Sequence, residues 1–150
     1  MALKIGQKAP DFSLPATGNK TISLSKDLQG QACILFFYPK DFTKGCTAEV
    51  CSFRNNYETF EIPVYGISKD SMESHEKFKK THKLPYELLS DRSGKVCKQY
   101  GALMPIINMP KRVTYLLDSE HKIAAVFQDL FGAEKHIQKM IESMGKVVEK

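Results

Sequence analysis

FFYPKDFTKGCTAEVCSFRNNY, residues 36–57, places a strand end, a polar loop and a helix start in immediate succession. The residues leading into it, ACILFFY at 32–38, are continuously apolar, the pattern of a strand covered on both faces. Pro39 has no N–H to give a central ladder and ends that strand. Cys46 then falls where a helix should begin, and Cys51 follows on the same helix. At about 100° per residue, Val50, Phe53, Tyr57 and Phe60 lie within about 40° of one another on a stripe that Cys46 tops. Cys51 sits about 140° round the helix from Cys46, on a more exposed side with Thr47, Arg54 and Glu58.

Outward from this stretch the elements alternate. TISLS (21–25) reads as extended; PVYGIS (63–68) and YELLS (86–90) read as further strands. Between them, Asp70 offers an N-cap with Glu73 three residues on, opening a helix to about Thr81. SGKVCKQYG is a short helix ended by Gly101, and residues 113–127 are two strands joined at 118–122. A last helix begins near Ala133, with Ile137, Met140, Ile141, Met144 and Val148 on one face. This order predicts an α/β domain with a mixed central sheet flanked by helices, the thioredoxin-like fold. With 150 residues and no repeat or linker, a single domain over 1–150 is expected.

Composition narrows the function. A net charge of +5 invites nucleic acid, but the lysines are dispersed among acidic residues. The densest basic cluster, HEKFKKTHK (75–83), reads as the solvated side of an amphipathic helix. No nucleic-acid role is expected. The N-terminus lacks an apolar signal segment and no run approaches bilayer length, so a cytoplasmic protein without a membrane partner is expected. Four cysteines (Cys33, Cys46, Cys51, Cys97) are too few for a disulfide scaffold, which leaves packing, metal binding or redox chemistry.

Cys33 lies within an apolar strand and reads as a core residue, as does Cys97. Cys46 differs by position: a helix start presents unpaired N–H groups and the positive end of the macrodipole, which favour a thiolate. Its C-x4-C spacing to Cys51 matches neither the C-x2-C of zinc knuckles nor a thioredoxin-type dithiol, and the four histidines form no HxxxH pair. His75 and His82 are two turns apart on one face. Residues i and i+5 of an ideal helix have Cα atoms about 8–9 Å apart, whereas disulfides need less than about 7 Å. Any bond between Cys46 and Cys51 therefore requires the helix to unwind.

Pro39, Thr43 and Cys46 form P-x-x-x-T-x-x-C, and the chain is identified through them as resembling a peroxiredoxin. GCTAEVC, with Glu49 and Cys51, YGISKDSMESHEKFKKTHKLPYELLSD and KRVTYLLD resemble the bacterioferritin comigratory protein (PrxQ) branch, and the likeness runs over nearly the whole chain. The resemblance implies a thiol-dependent peroxidase that reduces hydrogen peroxide and organic hydroperoxides without cofactor or metal. Cys46 would be the peroxidatic cysteine, Thr43 would orient thiolate and peroxide, and Arg112 would supply a fixed, forked cation. Pro39 would shield the sulfur, and Cys51 would resolve the sulfenic acid as an intramolecular disulfide.

Simpler roles stand beside these: Thr43 as an N-cap, Pro39 as a strand terminator, Glu49 as a partner of the helix dipole, and Arg54 as a rival to Arg112. Phe127 stands where many relatives carry Trp, and Cys97 is a rival resolver. The Gly-Gly-Leu-Gly and C-terminal Tyr-Phe elements of over-oxidation-sensitive relatives are missing, which predicts resistance to peroxide inactivation. No G-x-G-x-x-G nucleotide cradle is present, so electrons are expected from thioredoxin or a similar dithiol protein, with the chain a monomer. A redox sensor or relay, and a chaperone-like binding protein, are the alternative classes.

Overall fold

A computed structural model describes residues 2–128 and Glu142. The expected closing helix from Ala133 lies outside the described residues. The elements run β1 (Ser13–Ala16), β2 (Lys20–Ser23), α1 (Leu24–Asp27), β3 (Cys33–Phe37), α2 (Lys44–Asn55), α3 (Tyr57–Phe60), β4 (Val64–Ser68), α4 (Met72–His82), β5 (Glu87–Ser90), α5 (Lys95–Gln99), β6 (Val113–Leu117) and β7 (Ile123–Phe127). One mixed sheet has the order β2-β1-β5-β4-β3-β6-β7. β3, β4 and β5 are parallel to one another, while β6 pairs antiparallel with β3 and β7 with β6. The expected thioredoxin-like α/β fold is present.

Central β3 explains its own composition. Cys33, Leu35 and Phe37 point into one core with Leu89, Cys97, Tyr100 and Tyr115. Ile34, Phe36 and Tyr38 point into a second core with Cys46, Val50, Phe53, Phe78 and Leu116. Both faces are covered, so alternation gives way to a continuous apolar run. Phe36 stacks on Phe53 of α2 with ring centroids 4.4 Å apart, locking the helix to the sheet. Burying a ring of this kind contributes about 1.5–3 kcal/mol.

Three local expectations are corrected. The stripe from Cys46 to Phe60 does not belong to one helix: α2 ends at Asn55, Asn56 turns back on the Ser52 carbonyl through its side chain (2.8 Å), and α3 carries Tyr57 and Phe60. The N-cap of α4 is Ser71, whose hydroxyl accepts from the Ser74 N–H, and not Asp70. Asp70 instead accepts from the Asp41 N–H and the Ser68 hydroxyl. Finally, HEKFKKTHK is not wholly a solvated face, because His75 and Phe78 are completely buried.

Candidate active site

The site forms where β3 ends and α2 begins. The antiparallel register pairs Phe37 with Val113, so Arg112 lies just outside β6, beside the chain that turns into α2. The Thr47 N–H bonds the Thr43 carbonyl at 2.8 Å as the first turn of α2 closes, which puts Cys46 inside that turn. The N–H groups ahead of this bond carry the positive end of the helix dipole. Cys46 is 1% exposed. Arg112 donates from Nη2 to Cys46 Sγ at 3.5 Å and from Nη1 to Glu49 Oε1 at 3.2 Å. The guanidinium is thus shared between a sulfur and a carboxylate on one helix. Gly45 permits the approach, since a Cβ there would sit 3.0 Å from Arg112 Nη2.

Glu49 is more than a helix-dipole partner. It is buried, and burial raises its carboxyl to about 7 although the Arg112 cation pulls it down. Its ionisation therefore falls near neutrality, next to the cation that faces the thiol. Arg54, the rival cation, is directed elsewhere: its Nη1 donates to the His82 carbonyl at 2.8 Å. Pro39 ends β3 and is half-buried. Thr43 occupies the N-cap backbone position without a capping hydrogen bond, and its exposed hydroxyl donates to the Lys40 carbonyl at 2.8 Å. Among the described hydrogen bonds, none joins Thr43 to Cys46.

Cys51 is half-buried on the α4 side of α2, with Sγ 3.7 Å from His82 Nδ1. It lies one and a half turns along a continuous helix from Cys46. Cys33 and Cys97 belong to the opposite core. Burial pushes the Cys33 thiol up to about 12. Burial and the adjacent Asp91 carboxylate push the Cys97 thiol up further. Cys97 and Cys46 lie in the cores on opposite faces of the sheet.

Sequence reasoning missed the polar cluster beneath the 38–43 loop. Asp41, Asp70 and His75 bring ligand atoms within 4.8 Å of one another. The Asp41 and Asp70 carboxylates and the His75 ring are engaged in hydrogen bonds within the protein. The i, i+3 spacing of His75 and Phe78 on α4 was the available signal of an inward face.

A family model described as the AhpC/TSA family matches residues 5–126. The chain belongs to the AhpC/TSA family. It is 43% identical over 136 residues to the putative peroxiredoxin bcp of Coxiella burnetii, covering 85% of this chain and 89% of that one. Identity to the chloroplastic peroxiredoxin Q of Oryza sativa subsp. japonica is 41% over 136 residues, 88% of this chain and 62% of that longer protein. The crystal structure of peroxidoxin BcpB from Mycobacterium tuberculosis superposes with a TM-score of 0.88 at 32% identity, covering 97% and 98% of the two chains. The expected recognition holds: this AhpC/TSA member is a peroxiredoxin of the bacterioferritin comigratory protein type, a thiol-dependent peroxidase. No helix among its described residues is long and apolar enough to cross a membrane.

Proposed function

We propose that Cys46 is the peroxidatic thiol of this peroxidase, acting on hydrogen peroxide and organic hydroperoxides, with Cys51 resolving and a thioredoxin-type dithiol protein as reductant. The observation that carries the assignment is the Arg112 fork, one arm 3.5 Å from Cys46 Sγ and the other on Glu49. In the first step the thiolate sulfur attacks one peroxide oxygen, the O–O bond breaks, and the departing oxygen leaves as water or alcohol after gaining a proton. The product is the Cys46 sulfenic acid. Arg112 sits beside both charges of this step, the initial thiolate and the oxyanion that develops as it is consumed. Thr43, at the mouth of the site, orients the peroxide once its hydroxyl turns from the Lys40 carbonyl, and Pro39 limits water at the sulfur.

In the second step the Cys51 sulfur attacks the Cys46 sulfenic sulfur. The S–S bond forms, the S–O bond breaks, and the hydroxyl departs with the Cys51 proton as water. The opening turns of α2 unwind for this, since both cysteines lie within one helix in the reduced state. A reductant dithiol then exchanges with the exposed disulfide. The disulfide needs no partner chain, which supports a monomer, and a cytoplasmic location fits the thiol chemistry.

Peroxide consumption coupled to a thioredoxin system, for wild type, Cys46→Ser and Cys51→Ser, tests the assignment. Cys46→Ser is expected to lose turnover, and Cys51→Ser to accumulate sulfenic or sulfinic acid instead of cycling. Full activity of Cys46→Ser would overturn the mechanism. Full thioredoxin-linked turnover of Cys51→Ser would overturn only the resolving role, and fast protein-to-protein disulfide transfer with slow peroxidase turnover would favour a relay.

A further inference from the structure

We propose that a buried, hydrogen-bonded Asp41–His75 pair is the device that positions the loop carrying Pro39 and Thr43 at Cys46. The inference rests on the reading of Cys46 as the reacting thiol, and it concerns residues to which that reading gives no role.

Asp41 lies in the loop between β3 and α2 and is 3% exposed; His75, on α4, is fully buried. His75 Nδ1 is 2.7 Å from Asp41 Oδ2, and Nε2 is 3.0 Å from the Leu89 carbonyl oxygen of β5. A carbonyl only accepts, so Nε2 bears a proton. On the other side of the ring, Asp41 accepts the Tyr38 hydroxyl on Oδ1 at 2.6 Å and the Ser74 hydroxyl on Oδ2 at 2.8 Å. One proton lies between Oδ2 and Nδ1 and closes the pair from either side, since a carboxyl accepts on both oxygens with or without its own proton. Two weaker contacts surround the ring: the Tyr38 oxygen lies 3.4 Å from Nδ1 and the Ser68 oxygen 3.5 Å from Nε2. Burial keeps the Tyr38 phenol protonated and hence a donor. The groups facing the pair thus come from the residue after β3 (Tyr38), β4 (Ser68), the turn after it (Asp70), α4 (Ser74) and β5 (Leu89 carbonyl), and together they enclose it.

The consequence falls on the loop. Asp41 is fixed twice, through its carboxylate and through its N–H, which donates to Asp70 Oδ2 at 2.9 Å. Phe42 follows in the left-handed region at φ 64°, an unfavourable conformation for an aromatic residue that persists only where its surroundings impose it. Asp41 holds one side of it, and its ring packs on Phe78 of α4 with centroids 4.9 Å apart. Thr43 comes next, at the helix start. Without the His75 ring, Asp41 Oδ2 would lose its closest partner in a buried site, and the loop would leave its place to hydrate the carboxyl. The hydroxyl of Thr43 and the ring of Pro39 would move with it.

Imidazole NMR of the wild-type protein tests the pair directly. The Nε2 proton facing the Leu89 carbonyl and the proton between Nδ1 and Asp41 are expected to exchange slowly with water. His75 ring protons that exchange as freely as those of an exposed histidine would overturn the proposal whether or not any variant folds. Positioning is tested at Cys46 by the ratio of its oxidation rate with hydrogen peroxide to its alkylation rate with iodoacetamide. A displaced loop affects the oriented peroxide far more than the unoriented alkylating agent. His75→Asn is expected to lower that ratio at least about tenfold, and Asp41→Asn with His75→Asn to return it to within about threefold of wild type. A ratio in His75→Asn within threefold of wild type, or a double variant no better than the single, would overturn the positioning role. Loss of the Cys46 assignment itself would appear as a fully active Cys46→Ser protein, a result that leaves the NMR measurement standing.

Discussion

Cys46 and Cys97 are equally hidden, 1% and 0% exposed, on opposite faces of the same sheet. Their surroundings differ in sign. The backbone N–H of Cys97 donates to the Asp91 carboxylate at 2.8 Å, and burial, reinforced by that anion, drives the thiol away from ionisation. Cys46 sits in the first turn of a twelve-residue helix with a guanidinium at 3.5 Å. Burial therefore does not separate the thiol proposed to react from Cys97, and the charge placed beside each does. The same contrast bears on the proposed resolving step: of the other three thiols only Cys51 packs on the face of Cys46.

Removing the cation breaks the contrast most severely. Arg112→Met is expected to slow Cys46 oxidation by about a hundredfold or more, the usual cost of losing a preorganised charge donor, measured by pre-steady-state oxidation with peroxide. Arg112→Lys recovers part of the rate, since a lysine restores charge but cannot serve sulfur and Glu49 with a planar fork.

A pH series on Glu49→Gln sharpens the same point through stability. The folded protein raises Glu49 from 4.5 to about 7, so between these values the folded state binds more protons than the unfolded one. Its stabilising contribution is full below 4.5 and is lost as pH rises through 7. The loss is on the order of 3 kcal/mol. Glu49→Gln, a permanently neutral isostere, is expected to flatten this fall in urea titrations across that window. An unchanged slope would count against Glu49 as its source.

Gly45→Ala separates packing at the site from helix stability. The new Cβ would meet Arg112 Nη2 at 3.0 Å and displace the guanidinium. Peroxide reactivity should fall several-fold, while the helix gains about 0.5–1 kcal/mol from the exchange of glycine for alanine. Activity and melting temperature are thus expected to move in opposite directions. At the small end, Cys97→Ala should leave peroxide turnover unchanged, with a stability loss of about 1 kcal/mol for the vacated volume in the opposite core.

The sheet was legible because its central strand reports burial on both faces, as CILFF shows, and because proline and glycine mark the segment ends. The position of Cys46 followed from local rules alone: a strand, Pro39, a short polar loop, then a helical stripe. What local rules could not supply are partners distant in the chain. Glu49 reads as a partner of the helix dipole until the start of β6 brings Arg112 against it. His75 reads as solvated within a run of lysines until Asp41, on another element, turns it inward. The break at Asn56 was hidden because Tyr57 and Phe60 keep the apolar spacing across it.

The most direct test of the central claim, that neighbouring charge selects one thiol of four, is peptide-resolved mass spectrometry after a single stoichiometric dose of peroxide with acid quenching over time. The account predicts oxygen appearing first and only at Cys46, then a Cys46–Cys51 bond, with Cys33 and Cys97 still alkylatable after denaturation. Early oxidation at Cys97 or Cys33, or a first adduct at Cys51, would contradict it.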